Sequence, residues 1–139
     1  MCHHPNDQLI ILLRLKHALQ ALALPPLVQL GLLPDFVCKA DELALDFDHW
    51  CSAALQHEDC SVTEFQRLQL VALDTALTDM SGAEQRLLWT DDAVRHRPEW
   101  QHVRVLAEAA LAAFGWTLET PPSYRHEYIN SYRSGHDRP

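Results

Sequence analysis

Four side chains of types that commonly bind metals fall within a short stretch: His49, Cys51, His57 and Cys60. Mixed histidine and cysteine ligands are typical of zinc sites. The surrounding pattern predicts a helix, however, and positions two residues apart on a helix point about 200° away from each other. His49 and Cys51 could therefore bind one ion only if the helix were broken. We predict that the chain binds no metal and uses no cofactor.

The sequence also lacks the motifs that identify several large classes of enzyme. It contains no G-x-S-x-G, no P-loop and no H-E-x-x-H sequence. Asp91 and Asp92 would point about 100° apart on a helix, which favours stabilisation of a helix start over a two-carboxylate site. His136 and Asp137 lie in a terminus expected to be frayed. We predict that the protein is not an enzyme, and a metal-dependent enzyme using the His/Cys group is the alternative.

The cysteines and the N-terminal segment indicate a cytoplasmic protein. Nothing in the spacing of Cys2, Cys38, Cys51 and Cys60 resembles a small disulfide-rich secreted domain, so free thiols are expected. The N-terminus lacks the basic segment of a signal peptide, and polar residues interrupt the apolar stretch that follows. These interruptions are Arg14, Lys16, His17 and Gln20, and Pro25 and Pro26 come after them. We therefore expect neither a cleaved signal nor a membrane span.

Negative charge is concentrated in one part of the chain. The formal net charge is −8, and residues 35–64 contain eight acidic residues against the single Lys39. Such a segment would repel a phosphate backbone, so a nucleic acid is not expected as a direct partner. Among possible partners a basic protein is favoured over a nucleic acid, and charge alone is also typical of a solvated acidic face that has no partner.

Composition and periodicity predict an all-α fold. The 139 residues suit a single domain, 47% of them are hydrophobic, and only four are glycine. We expect one helical bundle over residues 1–139 with about five to seven helices, some of them short, and with residues 1–5 and 134–139 frayed. The long helices are expected at residues 7–24 with Asn6 as N-cap, from Asp41 to about His57, from Ser61 to about Met80, and from Pro98 to Phe114.

Shorter elements and helix ends are predicted by local signals. Ser61 and Glu64 have the spacing of a capping box, and Ser81-Gly82 and Gly115 would end helices. Short helical turns are expected after Pro26, before Trp89 and after the N-cap Thr90. A last helix is expected to carry Tyr124, Tyr128 and Tyr132. The first helix is apolar around most of its circumference, so it must be heavily covered or must present an apolar face to a partner.

Apolar stripes at helical spacing define the predicted core. The predicted core residues are Phe47, Trp50, Phe65, Leu68, Trp89, Trp100, Val103, Arg104 and Phe114. Arg104 lies at the edge of the stripe that starts at Trp100, where a partly buried guanidinium needs acceptors. The expected acceptors are the carboxylates of Asp74, Asp91 or Asp92, and direct binding of a partner by Arg104 is the alternative.

Several of these segments resemble a known family. The runs LALDFDHW, LDTALTDMSG, LLWT and PEWQHVRVLAEAALAAFGW are similar to segments of small all-helical immunity proteins encoded beside bacterial polymorphic toxins, including those of contact-dependent growth inhibition systems. The resemblance covers roughly residues 41–116. Its most specific pieces are Met80-Ser81-Gly82, Leu88-Trp89-Thr90, and Pro98-Glu99-Trp100 with Val103-Arg104, which are packing and capping residues.

The resemblance implies a cytoplasmic antidote that binds one cognate toxin domain, often a nuclease, and blocks its active site or substrate path. A concentrated acidic surface suits a basic toxin, because opposite charges accelerate association. The residues expected to form or border the toxin-binding surface are Asp41, Glu42, Asp46, Asp48, Glu58 and Asp59. A helical adaptor or oligomer-forming protein that uses the apolar first helix is the alternative, and the sequence leaves the oligomeric state open.

Overall fold

The computed structural model describes residues 7–122. Over this range the chain forms six α-helices, two 3-10 helices and no strand, which confirms the all-α fold class. The α-helices are α1 (Asp7–Ala23), α2 (Pro26–Gly31), α3 (Lys39–Gln56), α4 (Glu64–Asp79), α5 (Asp91–His96) and α6 (Pro98–Ala113). The first 3-10 helix is Glu58–Cys60 and the second is Ala83–Trp89. The predicted N-cap Asn6, the predicted frayed ends and the predicted helix with Tyr124, Tyr128 and Tyr132 lie outside the described residues.

Helix α1 lies between α3 and α6, and α6 packs on its other side against α4. Helices α3 and α4 touch each other only lightly, while α2 and α5 cover the end of the bundle near the start of α6. Buried residues from all six helices belong to one hydrophobic cluster. The long helices therefore form a bundle in which α1 and α6 are the most enclosed.

The two halves of α1 differ in how far they are covered. Every residue from Ala18 to Ala23 is buried, so this half is enclosed on all sides. In the first half, Leu9, Ile10 and Leu13 remain 63%, 52% and 46% exposed. Both predicted outcomes for this apolar helix, a heavily covered element and an exposed apolar face, occur in different turns of the same helix.

Helix α6 begins and ends as predicted. Pro98 occupies its first turn, and Gly115 ends it with a φ of +72°, a conformation that glycine adopts without steric cost. The Gly115 amide donates to the Ala112 carbonyl at 3.0 Å, and the Trp116 amide donates to the Leu111 carbonyl at 3.0 Å. These two bonds are those of a Schellman motif, which satisfies the last carbonyls of the helix.

The start of α4 differs from the prediction. The capping box is formed by Thr63 and Gln66, and not by Ser61 and Glu64: the Gln66 amide donates to Thr63 Oγ1 at 3.1 Å, and the Thr63 amide donates to Gln66 Oε1 at 2.9 Å. Ser61 ends the preceding 3-10 helix in the left-handed region, with a φ of 48°. It is therefore unable to open α4, which starts three residues later.

The buried face of α4 is also not the predicted one. Phe65 and Leu68, which were expected in the core, are 62% and 50% exposed, and the buried residues are Leu70, Leu73 and Leu77. At 100° per residue, Phe65 and Leu68 lie about 110° and 170° around the helix from the centre of the buried face. Because α4 carries apolar residues on most of its circumference, periodicity alone could not select the side that meets α3 and α6.

The other predicted core residues do lie in the core or against it. Phe47, Trp100 and Val103 are fully buried. Partly buried side chains that pack against the cluster are Trp50, Trp89 and Phe114. The Trp100 indole donates to the Leu88 carbonyl at 2.6 Å, and its ring meets that of Trp89 edge to face at 5.5 Å between centroids.

Arg104 is buried as predicted, but the prediction that carboxylates accept its hydrogen bonds is wrong. Its guanidinium donates to Gln29 Oε1 at 3.1 Å, to the Val94 carbonyl, and weakly to Gln101 Oε1 at 3.4 Å. The Gln29 amide in turn donates to the Ala21 carbonyl at 2.9 Å, near the end of α1. Neutral acceptors thus take the place of an ion pair, and burial lowers the pKa of Arg104 from its ordinary value.

Candidate partner-binding groove

An open groove runs between α3 and α4, where the two helices touch only lightly. It has a volume of about 700 Å³, and part of the second 3-10 helix lies along it. Its lining residues are Cys38, Asp41, Ala44, Leu45 and Asp48 of α3 and its N-cap, Asp74, Leu77, Thr78, Ser81 and Gly82 of α4 and the turn after it, and Arg86 and Trp89 of the 3-10 helix. A volume of this size falls within the usual range of binding clefts, about 300–1,000 Å³.

Helical spacing explains which side chains reach the groove. Asp41, Leu45 and Asp48 follow one another at intervals of four and three residues, so they share one face of α3. On α4, Asp74 and Leu77 are three residues apart and face the groove from the opposite wall. Carboxylates from two helices therefore border a surface whose apolar part includes Leu45 and Leu77.

The turn after α4 holds the second 3-10 helix against the groove. Gly82 has a φ of +119°, which turns the chain back, and the Ser81 hydroxyl donates to the Leu77 carbonyl at 3.0 Å. The Trp89 indole donates to the Met80 carbonyl at 2.8 Å. The predicted helix stop at Ser81-Gly82 is confirmed. The turn and the Trp89 hydrogen bond to Met80 hold the second 3-10 helix, which carries Arg86, beside the groove.

Two carboxylates of the groove lie close enough to affect each other. Burial raises the pKa of Asp74, and the neighbouring charge of Asp48 raises it further. Burial, together with Asp74 and Asp48, raises the pKa of the Cys51 thiol behind them to about 12. Asp48 and Asp74 have no ion-pair partner among the described residues, although Arg86 lines the same groove.

The acidic residues predicted to bind a partner do not form one continuous surface. Asp41 and Asp48 line the groove, whereas Glu42 and Asp46 are partly buried on another flank of α3. Glu58 and Asp59 are exposed in the first 3-10 helix. This 3-10 helix follows the end of α3, which at 1.5 Å per residue lies about 22 Å along the helix from Asp41. The structure thus separates the six residues into three groups.

Asp74 is the acidic residue of the groove that was missed as a partner-binding candidate. From the sequence, Asp74 is expected only as a possible ion-pair partner of Arg104. Its spacing of three from Leu77 would place it next to a core position, but only the packing of α4 shows that it faces α3. Arg86 was also not predictable as a groove residue, because its 3-10 helix has no clear periodicity.

The His/Cys group is dispersed. Cys51 and Cys60 are buried, while His49 is exposed with its ring edge to face with that of Trp50 at 4.5 Å. His57 Nδ1 accepts a hydrogen bond from the Asp59 amide at 3.3 Å. Within the described part of the chain, no three His, Cys, Asp or Glu residues are placed to hold a metal ion. The described cysteines, which are Cys38, Cys51 and Cys60, are free thiols as expected.

Asp91 and Asp92 have the structural role that the sequence predicts. Asp91 and Asp92 occupy the first turn of α5, whose N-cap Thr90 accepts a hydrogen bond from the Ala93 amide at 3.0 Å. Negative charge is favourable at that end of a helix, as the sequence predicted.

Between residues 7 and 122, no helix has the length and apolar character needed to cross a membrane.

A search of protein-family models, of curated proteins and of solved structures finds no match to this chain. The resemblance to immunity proteins therefore rests on the sequence segments given above.

Proposed function

We propose that the chain is an immunity protein that binds a cognate bacterial toxin domain and neutralises it by blocking its active site or substrate path. The observation that carries the proposal is the groove between α3 and α4, with acidic side chains on both walls and apolar residues between them. Two of its acidic residues, Asp41 and Asp48, are among those that the sequence assigned to toxin binding.

The chemistry of the groove suits a basic protein partner. Apolar surface supplies contact area, while exposed carboxylates attract a cationic surface and raise the rate of association. A nucleic acid is a poor fit, because its phosphates would meet Asp41, Asp48 and Asp74. We therefore propose a basic toxin domain, such as a nuclease, as the partner and a mechanism of steric blocking without catalysis.

The direct test measures binding of the toxin domain encoded beside this gene. Asp41→Lys with Asp48→Lys reverses two charges in the groove, and we expect at least a tenfold loss of affinity at low salt together with a weaker salt dependence. Protection of cells that express the toxin should fall in parallel. Both positions are exposed on α3, so far-UV circular dichroism should show an unchanged helical content.

A matched control makes the same change of charge away from the groove. Glu58→Lys with Asp59→Lys alters two exposed acidic residues of the first 3-10 helix and should leave affinity nearly unchanged. Equal losses in the two double variants would show that net charge alone matters. No binding of the neighbouring toxin by the unmodified protein would refute the proposal.

The exposed first turns of α1 favour a second candidate, a helical adaptor or self-associating protein. Leu9, Ile10 and Leu13 form an apolar surface on the half of α1 that the bundle does not cover. Light scattering of the purified protein and of a Leu9→Ser, Leu13→Ser variant distinguishes the two. A concentration-dependent oligomer that this variant abolishes would support the second candidate, and a monomer at all concentrations would remove its self-associating form.

A further inference from the structure

We infer that the groove binds a lysine or arginine side chain of the partner between Asp48 and Asp74, with apolar atoms of the same partner segment lying over Leu45 and Leu77. This inference rests on the proposed function and specifies the chemistry of the bound segment. It assigns the recognition to one place on the protein rather than to the acidic surface in general.

Two negative charges from different helices meet in the groove. Asp48 and Asp74 come from different helices, yet both line the same groove, and the charge of Asp48 is close enough to raise the pKa of the Asp74 carboxyl. Two carboxylates brought together in this way repel each other unless a cation lies between them. Since no described residue forms an ion pair with either, a cationic group from outside would remove this repulsion and gain two favourable contacts.

Apolar side chains lie beside these carboxylates. Ala44 and Leu45 of α3 and Leu77 of α4 line the same groove as the carboxylates. Lysine and arginine suit such a surface, because their aliphatic stems pack on apolar groups while the charged end reaches a polar site. A small inorganic cation would use the carboxylates alone and leave the apolar surface uncovered.

Arg86 adds a positive charge to the lining of the groove. It belongs to the second 3-10 helix, while Asp48 and Asp74 project from α3 and α4. A cationic side chain is therefore attracted to the Asp48 and Asp74 pair and repelled from Arg86, which favours one orientation of the bound segment. The groove volume of about 700 Å³ leaves room for neighbouring residues of that segment.

The test uses the purified full-length chain without any toxin and a small probe, hexylguanidinium, which joins a cation to an apolar chain. We expect saturable changes in the amide NMR signals of α3 around residues 44–48 and of α4 around residues 74–78. Hexanol, which lacks the charge, and hexanoate, which reverses it, should bind at least about tenfold more weakly, as expected for loss of two partly exposed charge contacts.

Matched variants locate the effect. Asp48→Asn with Asp74→Asn should weaken binding of hexylguanidinium about tenfold, whereas Glu58→Gln with Asp59→Asn, which removes the same net charge elsewhere, should change it less than about twofold. Signal changes outside the groove, equal binding of hexanoate, or equal losses in the two double variants would overturn the inference. A toxin that fails to bind would refute the proposed function but would leave the probe result unaffected, so the two failures are distinguishable.

Discussion

Replacing Trp100 by alanine tests the central packing of the bundle. Trp100 is fully buried at the start of α6, where its indole donates to the Leu88 carbonyl and its ring contacts Trp89 edge to face. The residue therefore joins α6 to the second 3-10 helix, which also borders the groove. Loss of the side chain should therefore destabilise the core and also weaken the contact between α6 and the second 3-10 helix.

The expected loss follows from these contacts. Emptying a large aromatic side chain from a core costs about 3–5 kcal/mol, and an edge-to-face aromatic contact contributes about 0.5–1.5 kcal/mol beyond buried area. The Leu88 carbonyl would also lose its donor, a change that costs about 1–3 kcal/mol for a buried group. Because these contributions overlap, we expect a decrease of about 4–5 kcal/mol in the free energy of unfolding for Trp100→Ala. Trp100→Phe, which retains an aromatic ring, should lose about 1–3 kcal/mol.

Thermal and urea unfolding followed by far-UV circular dichroism provide the measurement. A loss of this size should lower the melting temperature by roughly 10 °C or more for a chain of this length. Trp116→Ala is the matched control, because Trp116 is only partly buried and stacks on Phe114 at 4.3 Å between centroids. It should lose less than half as much stability. Unchanged stability of Trp100→Ala, or equal losses at the two positions, would refute the reasoning.

Three further predictions concern caps, charge and metals. Thr63→Ala should lower the free energy of unfolding by about 1 kcal/mol, and Ser61→Ala should lower it less, because only Thr63 caps α4; the reverse order in urea unfolding would contradict this assignment. Since the folded pKa of Asp74 is raised, the free energy of unfolding contributed by this group falls as pH rises through that pKa. Asp74→Asn should therefore raise the melting temperature at pH 7, and its benefit should disappear in acid where the carboxyl is protonated. Dialysis against a chelator should leave the melting temperature unchanged, and a fall that zinc reverses would show a structural metal.

The sequence predicted elements well where a local signal marked them. Pro98 lies in the first turn of α6 and Gly115 follows its end, the positions where helices favour these two residue types. Thr90 caps α5 through a hydrogen bond to a residue only three positions away. At the start of α4 the spacing predicted Ser61 as the cap, whereas Thr63 forms it. The preceding 3-10 helix places Ser61 in the left-handed region, which no local signal marked.

Features that depend on contacts between distant residues were not predictable in the same way. The broad apolar stripe predicted for α4 ran from Phe65 and Leu68 through Leu73, and only the position of α4 against α6 shows that its buried part is the side with Leu70, Leu73 and Leu77. For the candidate site, spacing placed Asp41 and Asp48 on one face of α3 but could not bring Asp74 opposite them.

Acceptors for Arg104 were misjudged for a related reason. A buried guanidinium was expected to require carboxylates, but Gln29, 75 positions away in the sequence, supplies an amide oxygen from α2. No local pattern marks such a partner. The same amide group also satisfies carbonyls at the end of α1, which lacks a basic residue in its last turn.

The enclosed position of α1 has a consequence for synthesis of the protein. Ribosomes produce α1 before the two long helices that cover it, and α6 is complete only at Ala113. At about 5–20 residues per second, the interval from Ala23 to Ala113 lasts roughly 5–18 s. During that time the apolar residues from Leu15 to Ala23 have no α6 to pack against, so the nascent chain should be a substrate for chaperones that bind apolar segments. Its yield in cells should consequently depend on chaperone supply more than the stability of the finished bundle would suggest.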